Sequence, residues 1–154
     1  MKYSERSGQA DGYVGYQGPN TLAAPKKLLV IDDEAGICTV IARMATALGL
    51  CTRVAPEPLE AVADFLDFAP DAVLLDMIMP GKDGIDLLHE MLLTGVPAKF
   101  VLMSGYGDTY MRLAKGVTAF HGVEPPAMLS KPFRRGALVA LLRATLSIDP
   151  MSST

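Results

Sequence analysis

The sequence has little of several features that would each point to a particular class of protein. It has no tryptophan, only two cysteines and a formal net charge of −3 over 154 residues. Without a basic excess, we expect no direct binding of nucleic acid. The apolar runs are far shorter than the ~20 residues that span a bilayer, and the N-terminus has no apolar segment of the secretory kind. These absences predict a cytoplasmic protein that does not contact a membrane.

The rarest polar side chains give no sign of a metal or disulfide framework. Cys38 and Cys51 lack the spacing of a metal site, and each lies inside a predicted helix or strand. We therefore expect both to be reduced and mostly buried. The two histidines, His89 and His121, are expected to face solvent.

What the chain does contain is a long stretch that can form one folded domain. About half of its residues are hydrophobic, and a chain of this length buries roughly 68–70% of its unfolded surface. Residues 1–25 differ, because they are rich in Gly, Ser, Gln and Tyr without any period, which predicts a disordered tail. The domain is expected over 26–148, with a short tail over 149–154. So short a tail favours a stand-alone domain over a fragment of a larger protein.

Strands and helices alternate along the predicted domain. Short apolar runs predict strands, and apolar residues at helical spacing predict helices between them. The strands are expected over 26–32, 51–55, 71–76, 99–103 and 127–130, and the helices over 34–48, 58–68, 85–93, 108–120 and 135–146. This alternation is typical of an α/β fold with a doubly wound, five-stranded parallel sheet and helices on both faces.

Polar residues follow the apolar runs at the points where four of the strands end. The first strand ends at Asp32 and Asp33, the third ends at Asp76, Ser104 follows the fourth and Lys131 follows the fifth. The carboxyl ends of parallel strands meet at one edge of the sheet, where functional crevices lie. The five side chains are therefore predicted to form one site.

The residue types in this set suit phosphoryl transfer. Asp33 and Asp76 offer hard oxygen ligands for Mg²⁺, or for Mn²⁺ in its place. Ser104 and Lys131 offer a hydroxyl and a cation to phosphate oxygens. A carboxylate that lies beside a metal ion and a lysine can attack phosphorus and form an aspartyl phosphate.

Four motifs carry a resemblance to a known family. They are IDDE at 31–34, LLDMIMPGKDGIDLL at 74–88, SG at 104–105 and KPF at 131–133. In this order and at these strand ends, they resemble the response regulator receiver domain of two-component signalling, over roughly 26–147. The resemblance implies a flavodoxin-like sheet with strand order 2-1-3-4-5.

The resemblance also assigns roles to the site residues. It implies that Asp76 accepts the phosphoryl group, that Asp33 binds Mg²⁺ directly and that Asp32 binds it through water. The backbone carbonyl of Ile78 would be the third protein ligand. Ser104 would be the hydroxyl that moves to the phosphoryl group, and Lys131 would pair with a phosphoryl oxygen.

The resemblance also implies which residues shape the backbone around the site. The Lys131–Pro132 peptide bond would be cis. The loop after the acceptor would be shaped by Met79, Pro80, Asp83 and Gly84, with Asp83 satisfying loop amides.

The sequence departs from the family pattern at three places. Met128 stands where an aromatic switch residue is common, which shifts the expected signal path to the loop after Ser104 and the helix over 108–120. Ile78 and Tyr106 stand where residues commonly orient the attacking water, and neither is an acid or an amide, so we expect a long-lived aspartyl phosphate. The connection from Ser104 to Lys131 is longer than is typical, with the excess around 116–126, which resembles receivers attached to cyclic-dinucleotide phosphodiesterase domains.

The function implied is that of a signalling switch. A histidine kinase or phosphotransfer protein would donate the phosphoryl group to Asp76, and the surface over 108–120, 127–130 and 135–146 would change. An unidentified downstream protein would respond, through binding, release or a phosphorylation-dependent dimer. Enzymatic activity is expected only as self-phosphotransfer and slow autodephosphorylation.

Four alternatives stay open from the sequence. One is a phosphorylation-independent binding module, and another is a receiver fragment of a larger regulator, such as one with a phosphodiesterase domain. A phosphohydrolase of the haloacid-dehalogenase type is disfavoured, because the residue two positions after Asp76 is Ile78 rather than an acid. A flavin binder is disfavoured because the acids at 32–34 would repel its phosphate.

Overall fold

The structure is a computed structural model that describes residues 24–150. The tail expected over 1–25 lies almost wholly outside this range, as does most of the tail expected over 149–154. Within residues 24–150, no helix is long and apolar enough to cross a bilayer.

The described chain forms a five-stranded parallel sheet and one small hairpin. The strands are β1 (Lys27–Ile31), β2 (Cys51–Ala55), β3 (Ala72–Asp76), β4 (Ile78–Met79), β5 (Lys82–Asp83), β6 (Lys99–Ser104) and β7 (Ala127–Ser130). The sheet has the order β2-β1-β3-β6-β7 with parallel neighbours, and β4 pairs antiparallel with β5. The predicted sheet and its 2-1-3-4-5 order are confirmed; the two-residue hairpin was not predicted.

Five helices cover the two faces of the sheet. They are α1 (Ala35–Ala47), α2 (Ala61–Phe68), α3 (Gly84–Leu93), α4 (Gly107–Phe120) and α5 (Arg135–Leu146), and a 3₁₀ turn over Pro58–Glu60 leads into α2. One core cluster joins the sheet to α2, α3 and α4. A second cluster joins its other face to α1 and α5.

The central strand β3 explains why the site forms at the sheet edge. All five residues of β3 are buried, and successive side chains point to opposite faces. Val73 and Leu75 belong to one core cluster and Leu74 to the other. A strand covered on both faces is a near-continuous apolar run, so the first acid, Asp76, falls where the strand ends.

Two expectations about rare side chains were wrong. Cys38 is buried as expected, but Cys51 is exposed, because it begins β2, which lies at an edge of the sheet. His89 and His121 are half-buried rather than solvent-facing. Their ring nitrogens lie 3.0 Å apart, because α3 and α4 are neighbours on one face of the sheet.

Candidate functional site

The first acidic pair lies in the turn from β1 to α1. Asp32 is fully buried and Asp33 is exposed. The Oδ1 atom of Asp32 accepts a hydrogen bond from the Glu34 amide at 2.9 Å, which helps to start α1. Glu34 precedes the first helical residue, and its own side chain makes no capping hydrogen bond. The turn therefore buries one carboxylate and leaves its neighbour open to solvent.

Asp76 brings a third carboxylate to the same place. It ends β3, it is 4% exposed, and its Oδ1 atom accepts a hydrogen bond from the Ile78 amide at 3.3 Å. Asp32, Asp33 and Asp76 each present one oxygen, and these oxygens all lie within 4.8 Å of one another. Three carboxylate oxygens at one point are hard donors of the kind that a divalent cation takes in proteins, so the residues fit Mg²⁺.

Lys131 reaches into this acidic cluster from the end of β7. Its Nζ atom lies 3.0 Å from Asp32 Oδ2 and 3.3 Å from Asp76 Oδ2. The Lys131–Pro132 bond is cis, as the resemblance implied. The sequence placed Lys131 among the acids of the site, but it did not indicate that the shorter of these two contacts is with Asp32.

The charges of the cluster change the proton affinities of its members. Burial raises the pKa of Asp76, the charge of Asp32 raises it further, and the Ile78 amide and Lys131 offset only part of the rise. Burial by itself lowers the pKa of Lys131, but the hydrogen bond and charge of Asp32 and the charge of Asp76 outweigh it, so that the net shift is upward. Burial and the negative charge of Asp32 thus both disfavour the ionised form of Asp76. A further cation nearby would favour that form.

Ser104 ends β6, the strand next to β3 in the sheet. It is 2% exposed, and its Oγ atom accepts a hydrogen bond from the Tyr106 amide at 2.9 Å. Its backbone carbonyl accepts a hydrogen bond from the Lys131 amide at 3.0 Å. Tyr106 directly precedes α4, and its side chain is 72% exposed. The hydroxyl is therefore engaged in a turn that leads into α4, which the sequence did not show.

The loop after Asp76 is held close to the site by its backbone. Pro80 and Gly81 form the turn of the β4–β5 hairpin. Asp83 accepts a hydrogen bond from the Ile85 amide at 2.7 Å and so caps α3, which confirms its expected structural role. A Cβ atom on Gly84 would lie 2.6 Å from the Cα atom of Met77. Only a glycine allows α3 to begin so near the end of β3.

The three unusual positions of the sequence lie around this site. Met128, on β7, is half-buried and packs against the core cluster on the side of α4. Tyr110 of α4 is half-buried against the same cluster, which the sequence did not indicate. Ile78 is 48% exposed, and Tyr106 is largely exposed. A thioether thus occupies the place of the expected aromatic switch residue.

A comparison with family models matches most of the chain to one family. The model described as the response regulator receiver domain matches residues 28–143. Among curated proteins, the DNA-binding response regulator MtrA of Mycobacterium tuberculosis is 32% identical over 124 residues, which cover 79% of this chain and 50% of MtrA. Sporulation initiation phosphotransferase F of Bacillus subtilis is 34% identical over 86 residues, 56% of this chain and 69% of that protein. The chain thus spans about half the length of MtrA and its homologues.

Solved structures show the same architecture. The receiver domain of NtrX from Brucella abortus has 29% sequence identity and a TM-score of 0.65, with 79% of this chain and 99% of that chain covered. The chemotaxis response regulator CheY4 of Vibrio cholerae has a TM-score of 0.70 at 19% identity, over 79% of this chain and 99% of that chain. At that identity the second likeness concerns the fold alone.

Proposed function

This chain belongs to the response regulator receiver family, and from that premise we propose that it is a phosphorylation-activated switch whose acceptor is Asp76. The observation that carries the proposal is the convergence of Asp32, Asp33, Asp76 and Lys131 at the carboxyl edge of the sheet. Such a site can take on a phosphoryl group because a cation and a lysine offset the added charge.

The proposed chemistry is a transfer to the Asp76 carboxylate. One of its oxygens attacks the phosphorus of a phosphohistidine, the phosphorus–nitrogen bond breaks, and the imidazole leaves as an aspartyl phosphate forms. Asp32, Asp33, Asp76 and the Ile78 carbonyl would hold Mg²⁺ (or Mn²⁺), which supplies positive charge to the phosphoryl oxygens. Lys131 would exchange its contact with Asp76 for one with a phosphoryl oxygen.

The conformational change would pass from the site to the surface through Ser104 and α4. In the structure the Ser104 hydroxyl is occupied by the Tyr106 amide. If that hydroxyl turns to a phosphoryl oxygen, the turn that precedes α4 loses this hydrogen bond. The surface formed by α4, β7 and α5 would then shift between two arrangements. Met128 of β7 has neither a hydroxyl nor an aromatic ring. We therefore propose that the signal is transmitted by the turn between Ser104 and α4 rather than by β7.

The proposed partners follow from this chemistry. A histidine kinase or a phosphotransfer protein would donate the phosphoryl group, and an unidentified protein would receive the signal through binding, release or dimerisation. We propose that the receiver domain extends over 26–148 and that the protein is cytoplasmic. It would not contact nucleic acid or a membrane directly. Its enzymatic activity would be limited to self-phosphotransfer and slow autodephosphorylation.

The deciding experiment is phosphorylation of the isolated chain. The protein is incubated with Mg²⁺ and a small acyl-phosphate donor, and intact mass is compared with that of an Asp76→Ala variant. We expect one phosphoryl group on the wild type and none on the variant. In parallel, beryllofluoride is added as a phosphoryl mimic, and changes in backbone amide shifts are expected to reach α4 and β7. An unmodified wild type with shifts confined to the site would overturn the switch and favour a phosphorylation-independent binding module.

A further inference from the structure

Two histidines from different helices meet on the face of the molecule that carries α3 and α4. His89 lies in α3, and His121 directly follows the last residue of α4. The Nε2 atom of His121 lies 3.0 Å from the Nδ1 atom of His89, and the ring centroids are 5.0 Å apart at an angle of 54°. The ring of Phe120 meets the edge of the His121 ring at 5.4 Å between centroids. Two nitrogen donors thus face each other across a helix–helix contact.

We propose that this histidine pair is a binding site for a divalent first-row transition-metal ion of the Cu²⁺ or Ni²⁺ type, with Zn²⁺ weaker. Metal–imidazole bonds are about 2.0–2.1 Å long. Two such bonds at a right angle place their nitrogens about 2.9 Å apart, whereas a tetrahedral angle places them about 3.3 Å apart. The observed separation of 3.0 Å is close to the right-angled arrangement, which is typical of Cu²⁺ and Ni²⁺.

Binding requires only small local changes. One of the two facing nitrogens now donates a hydrogen bond to the other, and on metal binding its proton would move to the second nitrogen of the same ring, so that both imidazoles bind as neutral ligands. Because the ion lies to one side of the line that joins the nitrogens, each ring has to turn towards it. Both rings are half-buried rather than enclosed, so part of each ring is accessible to the ion and its waters. Within residues 24–150, the one group of three or more potential metal-binding side chains is the acidic cluster, so water fills the other coordination positions of the histidine site.

The donor types separate this site from the proposed magnesium site. Imidazole nitrogens favour Cu²⁺, Ni²⁺ and Zn²⁺, whereas carboxylate oxygens favour Mg²⁺. The two sites share no ligand. Ser104 and Tyr106 lie before the N-terminus of α4, whereas His121 follows its C-terminus after 14 helical residues, which is a distance of about 21 Å along the helix. A metal at the histidine pair would tie the far end of α4 to α3, independently of phosphorylation.

The test uses the untagged full chain after removal of metal ions. Cu²⁺ is titrated and followed by calorimetry, and the electron paramagnetic resonance spectrum reports nitrogen ligands. We expect one equivalent with two coupled nitrogens in the wild type. His89→Gln and His121→Gln are each expected to weaken binding at least about tenfold, because one of the two protein ligands is lost. Asp33→Asn, a matched change in the acidic cluster, is expected to leave this binding unchanged.

Equal Cu²⁺ affinity in the wild type and His89→Gln, or a spectrum with oxygen ligands only, would overturn the proposal and leave the pair as a hydrogen bond between helices. If a histidine variant does not fold, Ni²⁺ is added to the wild type and the broadening of amide signals is mapped. Broadening centred on residues 89 and 121 supports the site, whereas broadening centred on residues 32, 33 and 76 contradicts it.

Discussion

At the scale of single residues, the site depends on how closely two backbone segments approach each other behind Asp76. The Gly84 amide donates a hydrogen bond to the Met77 carbonyl at 3.0 Å, and an added Cβ atom would lie 2.7 Å from the Asp76 carbonyl oxygen. Relief of such a contact would require a shift of β3 or of α3. The sequence motif contains this glycine, but only the structure shows which atoms exclude a side chain.

Gly84→Ala is expected to lower the free energy of unfolding by about 1–3 kcal/mol, the usual cost of overpacking. Urea unfolding followed by circular dichroism measures the change. Gly36→Ala is the control, because Gly36 lies in α1 with nothing within 4 Å of an added Cβ atom. An alanine in a helix is more stable than a glycine by roughly 0.5–1 kcal/mol. Equal stability of Gly84→Ala and the wild type would show that the loop adapts freely.

Ile78 gives a second prediction at this scale, on the lifetime of the proposed aspartyl phosphate. Its side chain is 48% exposed, and it follows the acceptor by two residues without a group that can orient water. Ile78→Asn supplies an amide there, and we expect severalfold faster loss of the phosphoryl group. Intact mass over time measures the loss, with Ile78→Leu as an apolar control. Identical decay in the wild type and the asparagine variant would show that this position does not limit hydrolysis.

At the scale of elements, the sequence predicted the strands of the parallel sheet and the long helices well, but it missed the two-residue strands and the buried side of one helix. The strands over 51–55 and 127–130 and the helix over 135–146 match their predicted bounds. The β4–β5 hairpin was missed, because strands of two residues are too short to show a period. Apolar spacing over 58–68 placed Leu59 and Leu66 on one side with Val62 and Phe65. Leu59 and Leu66 are nevertheless exposed, because the 3₁₀ turn shifts the helical phase and α2 buries Ala61, Phe65 and Phe68.

The turn that connects β6 to α4 carries a prediction about signal transmission. Ser104→Ala removes the acceptor of the Tyr106 amide and the hydroxyl that would reach the phosphoryl group. We expect the variant to retain phosphorylation on Asp76 but to lose the beryllofluoride-induced amide shifts in α4. Two-dimensional NMR measures those shifts.

The matched control for this turn is Ser130→Ala. Ser130 is the direct neighbour of Ser104 in the sheet and is exposed, so its loss is expected to leave the shifts intact. If the α4 shifts persist in Ser104→Ala at wild-type size, the signal takes another path, and Met128 becomes the residue to test.

At the scale of the whole molecule, the negative charge of the acidic cluster lowers the stability of the fold. Asp32 and Asp76 are buried, and the pKa of Asp76 is raised from its usual 3.8 by burial first and by Asp32 second. The folded chain thus binds this proton more tightly than the unfolded chain. The contribution of Asp76 to stability is present below the usual pKa and is lost as pH rises through the raised value. At neutral pH its ionised carboxylate therefore destabilises the fold.

Asp76→Asn is therefore expected to raise the free energy of unfolding in a chelator at pH 7, because the neutral amide removes a buried negative charge. Urea unfolding measures it with and without Mg²⁺. Added Mg²⁺ should stabilise the wild type more than the variant, because the variant lacks one ligand. Glu124→Gln, the same change at an exposed loop residue, is the control and should have little effect. A less stable Asp76→Asn would show that the contact with Lys131 outweighs the repulsion among the acids.

The candidate site was more predictable than its internal contacts. Asp32, Asp33, Asp76, Ser104 and Lys131 could be assigned to one edge, because parallel strands align their ends and each apolar run stops at a polar residue. The placement of Lys131 among the acids was also predicted, whereas the Tyr106 amide on Ser104 and the histidine pair could not be predicted. Each joins residues whose contact depends on the path of a loop or on helix packing, and hydrophobic periodicity carries no information about either.

The contact of Lys131 with two of the acids also decides which ions the cluster prefers. One ammonium among three carboxylates leaves two negative charges uncompensated, which equals the charge of a single divalent ion. A monovalent ion such as K⁺ would leave the cluster anionic, and a trivalent ion would overshoot. Lys131 therefore acts as an internal counterion that leaves the cluster with the charge that one divalent cation would balance. Replacing Lys131 with a neutral residue would leave three negative charges in the cluster and so favour ions of higher charge.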